Sequence, residues 1–292
     1  MKIAIHGRQF NEQAKPFIQA MFDELARRHV EVQLSASYFE MLRDGGVKHP
    51  YNGTYTNCQE LNATDFIFSL GGDGTLLDTV TQVGPKEIPI LGVNIGRLGF
   101  LATVAPSELV ETLAILFEGD YVIDERSLVH LEAERDLFDG LNFGLNECTI
   151  TKTDTSSMIV VHTHINGEFL NSYWADGLLV STPTGSTGYC LSVGGPVMLP
   201  HSQSFVVAPI SPHNLNVRPM IVEDTSVITM EVESRSRSFL VSLDSRSRIV
   251  EGSLPITIRK ENFKARLVKM PDDRFLNTLR NKLNWGLDIR NW

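Results

Sequence analysis

Five consecutive residues, Gly71-Gly72-Asp73-Gly74-Thr75, hold the most chemically suggestive spacing in this sequence. They follow the apolar run Asp65–Leu70 (DFIFSL) and lead into Leu76–Val83, which reads as a helix. Glycines there allow a tight bend and let a phosphate come close to backbone amides, and the helix N-terminus adds partial positive charge. The carboxylate of Asp73 would then face the phosphates, able to accept a proton from an attacking hydroxyl or to hold a magnesium ion. The same string also fits a plain strand–turn–helix connection capped by an aspartate. No Gly-Lys-Ser/Thr follows it, so it is not a Walker loop, and Gly92, Gly96 and Gly99 lie too far apart for a dinucleotide fingerprint.

A second cluster runs from Asp176-Gly177 through Ser181-Thr182-Pro183-Thr184-Gly185-Ser186-Thr187-Gly188-Tyr189 to Ser192 and Gly194-Gly195. An apolar strand enters a loop rich in hydroxyls and glycines, which can hydrogen-bond a purine edge, a ribose or phosphates without adding charge. Tyr189 adds a flat apolar face with a polar tip. A Ser/Thr/Gly turn between strands would look the same. Asn146-Glu147, after Gly144, forms a third element that suits ribose hydroxyls or an adenine amino group, and equally a solvated strand end.

These groups need elements to position them. Lys2–His6, Val30–Leu34, Asp65–Leu70 and Ile88–Asn94 read as buried strands, alternating with helices over Ala14–His29, Leu76–Val83 and Ser107–Phe117. In the first helix Phe17, Ala20, Met21 and Leu25 recur at helical spacing. That alternation predicts an α/β domain with a Rossmann-like parallel sheet over residues 1–122. The polar segment Asp44–Asn62, with Gly45-Gly46 and Asn52-Gly53, reads as a mobile loop. Beyond about residue 120 short strands follow one another without helices, among them Val129–Ala133, Met158–Ile165, Gly177–Ser181, Phe239–Leu243 and Ala265–Val268. They predict an all-β sandwich over residues 123–270, with a hairpin turn at Asn166-Gly167. Asp272–Asn284 carries Phe275, Leu276, Leu279 and Leu283 on one face, so residues 271–292 are expected to add a C-terminal helix packing back.

At 292 residues, 42% hydrophobic and 21% charged, the chain suits two globular domains and excludes a disordered or fibrous protein. A net charge of -9 leaves no global attraction to nucleic acid or an anionic membrane, so any phosphate ligand must be met by local groups. Three cysteines (Cys58, Cys148 and Cys190) without CxxC spacing, no secretory h-region and no apolar run of membrane-spanning length predict a soluble, cytoplasmic protein. The eight histidines form no metal pattern, and no protein metal site is expected. Arg235, Arg237, Arg246 and Arg248 fit a solvated strand face or a contact to polyphosphate.

Taken together, GGDGT at 71–75, Asn146-Glu147 and the string from Asp176 to Tyr189 resemble the bacterial-type NAD kinase family. Asn94–Leu101 (NIGRLGFL) is similar to that family's NxGxLGFL segment, and Pro212–Pro219 (PHNLNVRP) to its PHxLxxRP segment. Lipid kinases and phosphofructokinases share the GGDG loop, but the TPTGST-x-Y loop separates this chain from them. The resemblance implies NAD held between the two domains and transfer of the γ-phosphoryl of ATP to the 2′-hydroxyl of its adenosine ribose, giving NADP. By motif, Asp73 would be the base and the Gly71, Gly72, Asp73, Gly74 and Thr75 backbone would cradle the donor phosphates. Phe100 would flank the adenine. Asn146, Glu147, Asp176, Thr187, Gly188, Tyr189 and Ser192 would line the dinucleotide site. Magnesium (Mg2+) arriving with ATP and a homodimer or homotetramer are implied as well. A catalytically silent dinucleotide sensor is the rival from another class, separated by turnover. Three departures stand out: Gly188 for the family's usual alanine, Arg246 for a neutral amide, and Trp174 for a basic residue.

Overall fold

A computed structural model describes residues 1–96, 99–155 and 157–286. The chain forms two compact units, one from residues 1–125 and 265–292, the other from Arg126–Lys264.

In the first unit the elements run β1 (Lys2–Gly7), α1 (Lys15–Arg27), β2 (Glu31–Ser35), α2 (Ala36–Asp44), β3 (Gly53–Tyr55), β4 (Phe66–Gly71), α3 (Asp73–Val83), β5 (Ile90–Asn94), α4 (Leu109–Glu118) and β6 (Val122–Arg126). Strands β1, β4 and β5 are almost wholly buried, which is why they read as continuous apolar runs. Pro16 starts α1, whose buried face is Ile18, Met21, Phe22 and Leu25; Phe17, expected on that face, is exposed. The stripe is turned by one residue because Ile18 and Phe22 join the periodic set.

Two features went unread in the sequence. Ser35 caps α2 by accepting the Tyr38 N–H, and the helix anchors through buried Tyr38 and Leu42. The segment Asp44–Asn62, expected as a mobile loop, contains edge strand β3, parallel to β2. Asn52 exchanges hydrogen bonds with Val32, and Tyr55 and Leu61 are buried, so three residues of strand suffice to tie the segment down.

The second unit contains β7 (Val129–Glu132), β8 (Phe143–Gly144), β9 (Glu147–Lys152), β10 (Ile159–Ile165), β11 (Glu168–Ala175), β12 (Gly177–Ser181), the short α5 (Tyr189–Ser192), β13 (Ser204–Ile210), β14 (Met220–Glu223), β15 (Ile228–Glu233), β16 (Ser238–Leu243), β17 (Arg246–Glu251) and β18 (Ile256–Lys260). Two antiparallel sheets, ordered β11-β10-β15-β18-β7-β8 and β14-β13-β12-β9-β16-β17, enclose a core that includes Ile150, Val161, Val180, Phe205, Met230, Val241 and Ile258. A satellite core of Leu179, Cys190, Met198, Val206 and Ala208 covers the other side of β12 and β13, so β12 is buried on both faces.

The chain then returns to the first unit through β19 (Ala265–Lys269) and α6 (Phe275–Leu283). Strand Ala265–Val268, expected in the sandwich, instead inserts between β5 and β6, and the first sheet runs β3-β2-β1-β4-β5-β19-β6. Its alternation marks it as a strand but carries no label for the sheet it joins. Helix α6 buries Leu279 while Leu276 is exposed. Residues 287–292 of the expected C-terminal segment lie outside the described residues.

Candidate active site

In the first sheet the chain leaves β1 for β2 on one side, while β4 leads to β5 on the other. The carboxyl ends of β1 and β4 therefore form a switch point, where doubly wound sheets bind ligands. The Gly71–Thr75 loop lies there. Gly72 caps α3, and Thr75 and Leu76 donate to its carbonyl oxygen. Asp73 and Gly74 open the helix, where N–H groups have no acceptor within it. A side chain at Gly72 or Gly74 would meet no protein atom within 4 Å, leaving the loop's outer surface open to a ligand. Thr75 is buried with its side chain against Gly71, so its contribution is to the turn.

The carboxylate of Asp73 gathers the loop after β5. It accepts the N–H groups of Phe100 (2.8 Å), Leu101 (3.0 Å) and Ala102 (3.2 Å). Gly99 makes this approach possible, because a Cβ there would lie 1.9 Å from Asp73 Oδ1. Phe100 is half-buried, with Lys282 Nζ 5.6 Å from its ring centre. Arg97 and Leu98 of the Asn94–Leu101 segment lie outside the described residues.

In the second unit another aspartate does the same work. Asp244, in the β16–β17 turn with φ 52°, accepts the N–H groups of Leu145 (2.8 Å), Asn146 (2.8 Å) and Glu147 (3.2 Å) and donates its own N–H to the Glu147 carbonyl. The Ser181–Ser186 loop wraps the same segment. Thr182 donates its N–H to Asn146 O and its hydroxyl to Leu145 O, while a Cβ at Gly185 would lie 2.2 Å from Asn146 O. Ser186, fully buried, bridges Pro183 O and Met198 N–H. This backbone scaffold presents Asn146, Glu147 and Gly188 together, the last within 3.5 Å of Glu147 Oε2 from its Cβ position. Among the described residues Asn146 Oδ1 and Glu147 Oε2 are buried without a hydrogen-bond partner. Buried acceptors left unpaired are costly, so the pair is suited to donors from outside the chain.

Burial, with the Asp244 charge behind it, pushes the Glu147 carboxyl up to about 8. Between its ordinary value near 4.5 and about 8 the folded chain keeps a proton that the unfolded chain has released. Stability from this group is thus greatest below that window and declines as pH rises through it. The melting temperature of the ligand-free protein is expected to fall between about pH 5 and pH 8, and Glu147→Gln to flatten the fall. Burial raises the Asp244 carboxyl too, so the slope shrinks rather than vanishes. An equal slope in the variant would refute the assignment.

Two family models cover the chain: the ATP-NAD kinase N-terminal domain matches residues 9–121, and the ATP-NAD kinase C-terminal domain residues 145–270. The chain belongs to the NAD kinase family. It is 49% identical to the NAD kinase of Cytophaga hutchinsonii and 43% identical to that of Flavobacterium johnsoniae, in both cases over the full length of both chains. Among solved structures it resembles an NAD kinase from Archaeoglobus fulgidus in complex with ATP, at 26% identity and a TM-score of 0.76, covering 97% of this chain and 99% of that one. Yeast NADH kinase complexed with NADH shares the fold at a TM-score of 0.86 and 22% identity, covering 99% and 89%.

Against this NAD kinase background the remaining motif residues separate. Tyr189 and Ser192 are exposed on α5, beside the Asn146–Glu147 segment in the same loop system, and the Thr187 hydroxyl donates to Thr184 O. Asp176 lies elsewhere: it precedes β12, at the end opposite Thr182, and pairs with Lys152 at 2.6 Å. Trp174 stacks on His213 at 4.3 Å beside a cavity of about 450 Å³ that Leu215 and Val217 also line. Arg246 donates to the carbonyls of Leu141 and Phe143 and lies 5.7 Å from the Phe138 ring, holding the strand before Asn146. Arg248 pairs with Asp139. Asp244 has no signal in the sequence beyond its position two residues before Arg246, because its three acceptor contacts span about a hundred residues.

Proposed function

We propose that this chain carries out the NAD kinase reaction with Asp73 as its base. The 2′-hydroxyl of the adenosine ribose of NAD gives its proton to Asp73, its oxygen forms a bond to the γ-phosphorus of ATP, and the bond to the β–γ bridging oxygen breaks to release ADP and NADP. Among the described residues Asp73 keeps an acceptor position for that proton. Three N–H donors occupy three of the roughly four lone-pair directions of a carboxylate. The open amides of Gly72–Gly74 receive donor phosphates at the start of α3.

Asn146 and Glu147 take the hydroxyl and amino donors of the dinucleotide, and their buried, unpartnered oxygens are the observation that carries this reading. Thr187, Gly188, Tyr189 and Ser192 complete that wall, and Phe100 offers its ring to the adenine. Asp176 belongs to the same dinucleotide site by motif alone. Mg2+ arriving with the donor's phosphates would supply charge neutralisation there.

We assign the chain to the cytoplasm, in keeping with three free cysteines and no described helix long and apolar enough to cross a membrane. A homodimer or homotetramer is supported by the exposed Met220 and Ile221 on edge strand β14. The direct test incubates the protein with NAD, ATP and Mg2+ and reads NADP with an NADP-specific dehydrogenase. NADP formation supports the assignment. NAD binding without NADP would replace it with a dinucleotide sensor.

A further inference from the structure

The first unit carries a cation that the NAD kinase motifs leave out. Phosphoryl transfer depends on neutralising the charge of the donor phosphates, and the Gly71–Thr75 loop brings amides but no lysine. Arg8 stands beside that loop. Gly7 pairs with Leu70 in the β1–β4 ladder, and the Arg8 N–H donates to Leu70 O at 3.2 Å, so Arg8 continues the ladder next to Gly71. Its position is the carboxyl end of β1, on the other flank of the switch point.

The side chain is directed toward α3, the helix that the phosphate loop opens. Arg8 Nε donates to Asp78 Oδ2 at 3.1 Å, and Nη2 donates to the same oxygen. His6, two residues earlier, turns the same way and meets Gln82 of α3. The guanidinium is thus fixed in direction by one oxygen of one carboxylate. Among the described residues its Nη1 makes no hydrogen bond, and the side chain is 59% exposed. Lys269, which reaches the loop after β5, is committed: its Nζ meets Leu101 O, Thr103 Oγ1 and Asp273, with 14% exposure.

We propose that Arg8 binds the terminal phosphates of the donor, with Asp78 as the positioning residue that holds the guanidinium ready. A guanidinium offers paired N–H donors that match two phosphate oxygens, and Nη1 with the second N–H of Nη2 presents such a pair while Asp78 retains Nε and the first. The inference rests on the ATP-dependent reading of the Gly71–Thr75 loop.

Its test is Arg8→Gln in the full chain. KM for ATP should rise about ten- to hundredfold, the loss of a charge-assisted phosphate contact, while KM for NAD moves less than about twofold. Arg8→Lys should recover part of the loss. Titration with a non-hydrolysable ATP analogue should show the same ranking without turnover, and titration with AMP should show no difference between variants. Arg8→Gln combined with Asp78→Asn should stay as weak toward ATP as Arg8→Gln alone.

Unchanged analogue affinity in Arg8→Gln would overturn the proposal. Full recovery in the double variant would overturn it as well, since the harm would then come from breaking the Arg8–Asp78 pair and not from a lost phosphate contact. A wild type that makes no NADP would instead sink the functional reading, with analogue titration still deciding the role of Arg8.

Discussion

Asp73→Asn is expected to lower kcat by about 10²–10⁴-fold, the range a positioned general base contributes. Asparagine has nearly the same shape, so the change tests chemistry more than volume. It has two effects, and the structure shows how to separate them. The amide cannot take the proton of the 2′-hydroxyl. It also replaces one carboxylate oxygen with an NH2 group, so at least one loop N–H among Phe100, Leu101 and Ala102 faces a donor instead of an acceptor.

Gly99→Ala perturbs the anchor alone. Its Cβ would fall 1.9 Å from Asp73 Oδ1, pushing the carboxylate aside while leaving its basicity in the molecule. If Asp73 is the base, single-turnover rates should fall further in Asp73→Asn than in Gly99→Ala. Equal losses would make Asp73 a loop anchor, and wild-type turnover in Asp73→Asn would remove it from the mechanism.

Asp244→Ala is expected to damage both stability and dinucleotide binding. It strips the acceptor from three consecutive N–H groups, those of Leu145, Asn146 and Glu147. Each buried donor left unpaired costs about 1–3 kcal/mol, and alanine at φ 52° adds strain that aspartate tolerates better. A total loss of roughly 3 kcal/mol or more should appear as a lower urea midpoint. Because the same backbone carries the Asn146 and Glu147 side chains, KM for NAD should rise about tenfold or more, with a smaller change for ATP. Asp244→Asn, which keeps one acceptor oxygen, should lie between. A midpoint and NAD KM equal to wild type in Asp244→Ala would show that the N–H groups find other partners and that the aspartate is dispensable.

The two aspartates share one physical device on unrelated scaffolds. A single carboxylate collects three successive backbone N–H groups and so fixes the chain beside a regular element: Phe100–Ala102 after β5, and Leu145–Glu147 at the entry to β9. Asp73 was readable as a site residue because its neighbours are glycines and a helix start. Asp244 was not, because nothing local marks an aspartate whose partners lie about a hundred residues earlier.

By itself the sequence determined what depends on nearest neighbours. Apolar runs with turn residues between them specified β1, β4, β5 and β12, whose burial is a matter of side-chain type, and the order GGDGT, Asn146-Glu147, TPTGST-x-Y identified the family. Tertiary structure alone decided the long-range choices. It placed Ala265–Lys269 between β5 and β6, because a strand's alternation says nothing about which open edge it will pair with. It sent Asp176 to the far end of β12 from Thr182, because five strand residues separate groups that are adjacent in a motif. It joined Arg8 to Asp78 across 70 positions, because the parallel ladder of β1 and β4 brings the end of one strand beside the loop that follows the other. Side-chain chemistry is written locally, while the partner of each polar group is fixed only once the sheet order is set.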